Sequence, residues 1–178
     1  MLDAPPPISA DDDARRERYV EVRLRIEALL EGEDDWVSAM ATVVCELHHA
    51  FDYFDWTGFY RHARPGWLHV GPYQGGHGCL RIAFDRGVCG AAARERRTQR
   101  VDDVNAFEGH IACATSTRSE LVVPVVTPQG RLLAVLDVDS DAEAAFHEVD
   151  ARALESLCAL LAERFADHAL AEDEPLTR

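Results

Sequence analysis

Apolar positions set the first elements. From about Arg15, Tyr19, Val22, Ile26 and Leu29 recur at helical spacing until Glu31-Gly32 supplies a stop. A second amphipathic helix is predicted from Asp34 or Asp35 as cap, with Trp36, Met40, Val43, Leu47 and Phe51 on one face. The period then changes from that of a helix to that of a strand. DWTGFYRH and WLHVGPY flank the turn signal ARPG and read as a hairpin, and CLRIAF reads as a short strand after GPYQGGHG. Gly87 and Gly90 flank the start of a further helix whose Arg94, Arg96 and Arg97 meet solvent. TQRVDDV reads as a short edge strand or turn, and NAFEGHIACATSTR as an irregular connection. SELVVPVV and RLLAVLDVD are strands joined by TPQG. A last helix is predicted from Ala142 to Ala169, with Phe146, Val149, Ala153, Leu157, Leu160 or Leu161, and Phe165 inward. This order implies an α/β domain with a mainly antiparallel central sheet flanked by helices, not a doubly wound parallel sheet.

The 178 residues suit one domain: residues 1–13 as a flexible arm with three prolines and an aspartate run, 14–170 as the domain, and 171–178 as a flexible tail. No apolar run approaches the roughly 18 to 20 residues of a membrane span, and acidic residues near the start oppose a secretory signal, so a cytoplasmic protein is expected. A formal net charge of -14 argues against nucleic acid and anionic membranes as partners. The absence of lysine excludes Schiff-base chemistry on a lysine and a phosphate-loop lysine.

Five cysteines, at 45, 79, 89, 113 and 158, change the picture most. Cys45 and Cys158 fall within predicted helices and read as buried filler. Cys79, Cys89 and Cys113 instead lie in segments of glycines and small residues, where a substrate or a second thiol can reach them. A helix start at Cys89 would expose N–H groups that favour its thiolate. Cys113 sits within the connection 102–118, far longer than the median of roughly 4 to 6 residues. His77 and His110 read as solvent-facing loop residues rather than zinc ligands, because the short paired-cysteine knuckle is absent.

Carboxylates and aromatics accompany these thiols. Glu120 opens its strand, while Asp137 and Asp139 alternate by two and share one side of a strand end. Such a pair is either entering solvent, with Asp139-Ser140 capping the next helix, or lining a pocket where like charges raise a pKa or attract an ammonium. Trp56 and Tyr60 share one side of their strand and are either core or the wall of a small apolar site.

DWTGFY, LHVGPYQG, CLRIAFDRGVCGAAA, TQRVDDVNAFEGHIACATSTRSELVVPV and GRLLAVLDVDS together resemble the free methionine-(R)-sulfoxide reductases, stand-alone GAF-domain proteins, over about residues 34–165. The resemblance implies a GAF-like fold and reduction of free L-methionine-(R)-sulfoxide. It gives Cys113 the role of nucleophile, Cys79 that of resolving cysteine in a disulfide with it, and Cys89 that of a third cysteine near the site. Glu120, Asp137 and Asp139 match the carboxylates that bind the substrate ammonium and polarise the sulfoxide oxygen. Trp56 and Tyr60 match aromatics beside the substrate side chain, and Ile111 and Ala112 part of the substrate loop. No metal or organic cofactor is implied; thioredoxin as reductant and a homodimer are. Gly76, His77, Ala83 and Asp85 depart from the family pattern without removing a thiol or carboxylate. The competing reading is a non-catalytic GAF sensor of a small ligand or of thiol oxidation, since one scaffold hosts many functions.

Overall fold

The computed structural model describes residues 5–109 and 115–167. Helices α1 (Asp12–Leu29) and α2 (Trp36–His48) precede the hairpin β1 (Trp56–Arg64) and β2 (Trp67–Gln74). Then follow β3 (Arg81–Ala83), α3 (Gly87–Glu95), β4 (Gln99–Val101), β5 (Ser119–Val126), β6 (Leu132–Ser140) and α4 (Glu148–Arg164). The strands form one sheet in the order β3-β2-β1-β6-β5-β4, antiparallel at every pairing. Among the described residues no helix is long and apolar enough to cross a membrane.

Side-chain alternation splits the sheet into two apolar layers. Phe59, Leu121, Val123, Leu136 and Val138 face α1, α2 and α4 and form the larger core with Ile26, Met40, Leu47, Leu154 and Leu161. Trp56, Tyr60, Val122 and Val135 point the other way, where α3 covers them with Val88, Cys89, Ala92 and Ala93. The small side chains of α3 let it lie close to the sheet. A Cβ on Gly90 would stand 2.5 Å from the carbonyl oxygen of Ala83.

Asp11 caps α1 by accepting from the Ala14 N–H, so this helix begins earlier than its apolar face indicates. Arg15 and Asp150 are fully buried and paired at 2.6 Å between α1 and α4. Tyr19 and Tyr53 both donate to Asp150, at 2.9 and 2.8 Å. The buried charge is therefore compensated from α1 and from the connection between α2 and β1, and breaking such a pair typically costs about 3–5 kcal/mol.

Two expectations fail at the last helix. It begins at Glu148, not Ala142, because His147 caps it and donates its backbone N–H to Asp150 at 2.6 Å. The preceding segment is held open: Ala144 has φ 52° and its N–H bonds Asp102 O at 2.9 Å. Asp139-Ser140 does not cap that helix, and the Ser140 hydroxyl lies 3.3 Å from Asp55 instead. Cys158 is buried filler as expected, but Cys45 is exposed on α2, whose inward face is taken by Val43, Val44 and Leu47.

Candidate functional site

The covered face of the sheet carries the polar cluster. Asp137 pairs with Gly58 on one side and Val122 on the other, and Asp139 pairs with Trp56 and Glu120. All three carboxylates thus project from adjacent strand ends toward the side that α3 covers. Glu120 and Asp137 are buried, at 6% and 5% exposure, and Asp139 is half-buried. Among the described residues no arginine or histidine forms an ion pair with any of the three. Glu120 and Asp137 therefore do not enter solvent, one of the two readings the sequence left open for such acids.

Burial with no cationic partner among the described residues keeps protons on this cluster. Asp137 is pushed up to about 7 by its burial. Glu120 is raised well above the usual carboxylate range by burial and then by the charges of Asp137 and Asp139. Asp139 is raised well above that range by burial and then by the charges of Asp137, Asp141 and Asp55. The protons belong to the group rather than to one member.

Cys89 lies in the first turn of α3 with its Sγ 3.9 Å from Glu120 Oε1. The expectation that this helix start favours a thiolate is corrected. Burial, then the Asp137 and Glu120 charges, push the Cys89 thiol well above its usual range and outweigh the helix end.

Next to the acids stands an aromatic stack. Trp56 lies against Tyr60 with ring centroids 5.7 Å apart and against Tyr73 at 5.4 Å, both nearly parallel. Gly58 permits this, since a Cβ there would stand 2.5 Å from both the Trp56 ring and the Tyr73 Cβ. The Trp56 indole N–H donates to Gly76 O at 3.1 Å and so ties the ring to the segment that carries Cys79. Tyr60 is buried beside the acids, and burial followed by Asp137 raises its hydroxyl pKa.

Cys79 is half-buried and disulfide-bonded, whereas Cys89 keeps a free thiol. His77, two residues before Cys79, is exposed. Cys113, Ile111, Ala112 and His110 lie outside the described residues. The connection that contains them is anchored on both sides: Gly109 O accepts from the Gly87 N–H at 3.0 Å, and the Arg118 N–H bonds Ser140 O at 2.8 Å. Its described ends thus reach the start of α3 and the end of β6. Structure therefore brings Glu120, Asp137, Asp139, Cys89, Trp56 and Tyr60 to one face of the sheet. It adds Gly58 and Tyr73, which sequence reasoning did not single out.

The GAF domain family model matches residues 31–165. A free methionine-R-sulfoxide reductase of Saccharomyces cerevisiae is 37% identical over 153 residues, spanning 83% of this chain and 85% of that protein. The chain belongs to the free methionine-(R)-sulfoxide reductase family of GAF domains. The family likeness extends to solved structures. The free methionine-R-sulfoxide reductase of Neisseria meningitidis, solved in complex with its substrate, is 40% identical with a TM-score of 0.82, covering 96% of this chain and 99% of that one. GAF domain-containing protein A of Dictyostelium discoideum is 40% identical over 148 residues, covering 83% of this chain and 92% of its own. Within the reductase family's fold, the GAF sheet here presents its acids and aromatics on the face covered by α3.

Proposed function

We propose that this protein reduces free L-methionine-(R)-sulfoxide to L-methionine. The observation that carries the reading is the set of proton-holding carboxylates Glu120, Asp137 and Asp139 beside the Trp56–Tyr60 stack. A sulfoxide has a polar S–O group, an apolar methyl and side chain, and a distant ammonium. The stack offers apolar walls, and the acids offer both a proton and negative charge. An ammonium entering the cluster would draw one carboxylate into its ionised form while another keeps its proton for the sulfoxide oxygen.

Cys113 acts as the nucleophile. Its thiolate attacks the sulfoxide sulfur while protons reach the oxygen; methionine leaves, and the oxygen remains on Cys113 as a sulfenic acid. The Cys79 thiol then attacks that sulfur, forming the Cys79–Cys113 disulfide and releasing water. A dithiol, thioredoxin in this reading, returns both cysteines to thiols and becomes a disulfide itself. The bonded state of Cys79 supports the pairing, because Cys45, Cys89 and Cys158 carry free thiols. We assign Cys89 a place in the site wall against Glu120, and no obligatory step of this sequence passes through it. A homodimer through α1 is supported by the exposed Val20, Leu24 and Leu29 on that helix.

The test is turnover of the separate R and S epimers of free methionine sulfoxide with thioredoxin or dithiothreitol. Turnover of the R epimer is expected, lost in Cys113→Ser. Cys79→Ser is expected to release about one equivalent of methionine per chain in a single turnover and then to cycle poorly with thioredoxin. Unchanged turnover in Cys113→Ser overturns the nucleophile, and no turnover of wild type with either reductant favours the GAF sensor reading.

A further inference from the structure

Cys89 Sγ and one carboxylate oxygen each from Glu120 and Asp137 lie within 4.8 Å of one another. Around a tetrahedral zinc-like ion, with metal–sulfur and metal–oxygen bonds of roughly 2.3 and 2.0–2.2 Å, neighbouring donor atoms stand about 3.5 Å apart. Small side-chain rotations therefore bring all three onto one centre. Their carriers are firm: β5 and β6 pair along their length, and α3 packs on both.

A second observation points to a missing partner. Asp137 is 95% buried, yet its Oδ1 has no hydrogen-bond partner among the described groups. Buried polar atoms are normally satisfied, and an orphan costs about 1–3 kcal/mol, more when charged. Oδ1 belongs to the same carboxyl that faces Cys89 and Glu120. The Cys89 sulfur makes a long 3.9 Å contact to Glu120 and a hydrogen bond to the Asp137 carboxyl, so it stands between the two acids.

We propose that Cys89, Glu120 and Asp137 form a binding site for a thiophilic divalent cation of the zinc class. One sulfur and two oxygens suit a borderline-soft ion, whereas magnesium and calcium call for six or more oxygen ligands. Binding releases the thiol proton and the protons held on the Glu120 and Asp137 carboxyls to solvent and changes no oxidation state. On the reductase reading, the same carboxylates receive the substrate ammonium, so metal and substrate exclude each other and the cation is an inhibitor. The binding itself does not depend on that reading.

The test uses the untagged full chain, stripped of metal, with Cys79 left in its disulfide so that the bonded sulfurs do not compete. Zn²⁺ affinity is measured against a chromophoric chelator, and Co²⁺ is added as a spectroscopic probe. One Zn²⁺ per chain and a thiolate-to-cobalt charge-transfer band are expected. Cys89→Ser is expected to abolish the band and weaken Zn²⁺ at least about tenfold. Asp137→Asn and Glu120→Gln are each expected to weaken Zn²⁺ about tenfold while retaining the band, in line with typical losses for a ligand shell. Cys45→Ser, at the exposed thiol, is expected to change neither. Should Cys89→Ser lack a cooperative melt, the two carboxylate variants decide alone: tenfold losses support the site, and unchanged affinity overturns it. Absence of Zn²⁺ binding below about 0.1 mM, or loss of binding in Cys45→Ser, also overturns it. Because the readouts are binding and absorbance, an inactive enzyme that binds Zn²⁺ separates this inference from the reductase reading.

Discussion

Replacing Asp137 by asparagine removes a carboxylate that folding lifts from 3.8 to about 7. A raised acid binds its proton more tightly in the folded than in the unfolded chain. Its stabilising effect is thus fully present below the unfolded value and is lost as pH rises toward the folded value. Between pH 5 and pH 7 the unfolded chain has Asp137 ionised and the folded chain does not. Each pH unit then costs the wild type about 1.4 kcal/mol, and the loss from pH 5 to pH 8 is about 2.5 kcal/mol. Asp137→Asn has no such slope from this position, and removing the charge also relieves Glu120 and Asp139, which acts in the same direction. Urea unfolding at pH 5 and pH 8 reads the difference. The stability of the variant relative to wild type is expected to improve by about 2.5 kcal/mol across that range, whatever its offset at pH 5. Parallel stability curves for the two proteins would refute the claim that folding keeps Asp137 protonated.

Three further outcomes are expected. Glu120→Gln keeps the shape of the site but loses a titrating group, and kcat/KM for free methionine-(R)-sulfoxide should fall about 10²-fold or more with the melt little changed; an unaltered pH–rate profile would remove Glu120 from the acid chemistry. Gly58→Ala forces the Trp56 ring off its stack, so steady-state kinetics should show KM rising about tenfold or more and tryptophan fluorescence shifting, and an unchanged spectrum would show that the ring is not held by the glycine. Asp150→Ala strands Arg15 in the core and should cost about 3–5 kcal/mol in urea unfolding at neutral pH; a cost under about 1 kcal/mol would mean the pair is dispensable.

Much of this arrangement is legible along the chain. The alternation of β6 places Asp137 and Asp139 on one face without knowledge of the partner strand, and the register of β5 against β6 then adds Glu120. The turn at Pro65–Gly66 announces the hairpin, but two register shifts lie between it and the Gly58–Tyr73 pair, so the hairpin and not the third ring of the stack was available in the sequence. Burial was not. Asp137 ends a strand as a solvent-facing acid would, and only the packing of α3 decides that it is enclosed. The Cys89 thiol illustrates the same point, because the helix end is local and readable while the two carboxylates opposing it come from strands 31 and 48 residues away. The start of α4 was misplaced because Ala142 to Phe146 has helix-forming composition. His147 and Asp150 impose a cap that tertiary contacts reinforce.

The Arg15–Asp150 pair bears on where this molecule begins. The GAF match starts at residue 31, yet the guanidinium that neutralises Asp150 comes from residue 15. A chain cut to the matched segment would keep the acid, lose its cation and leave Tyr19's hydrogen bond unmade. The stretch that the GAF domain model matches and the stretch that must fold together therefore have different edges, and an expression boundary drawn from that match alone falls inside the cooperative unit.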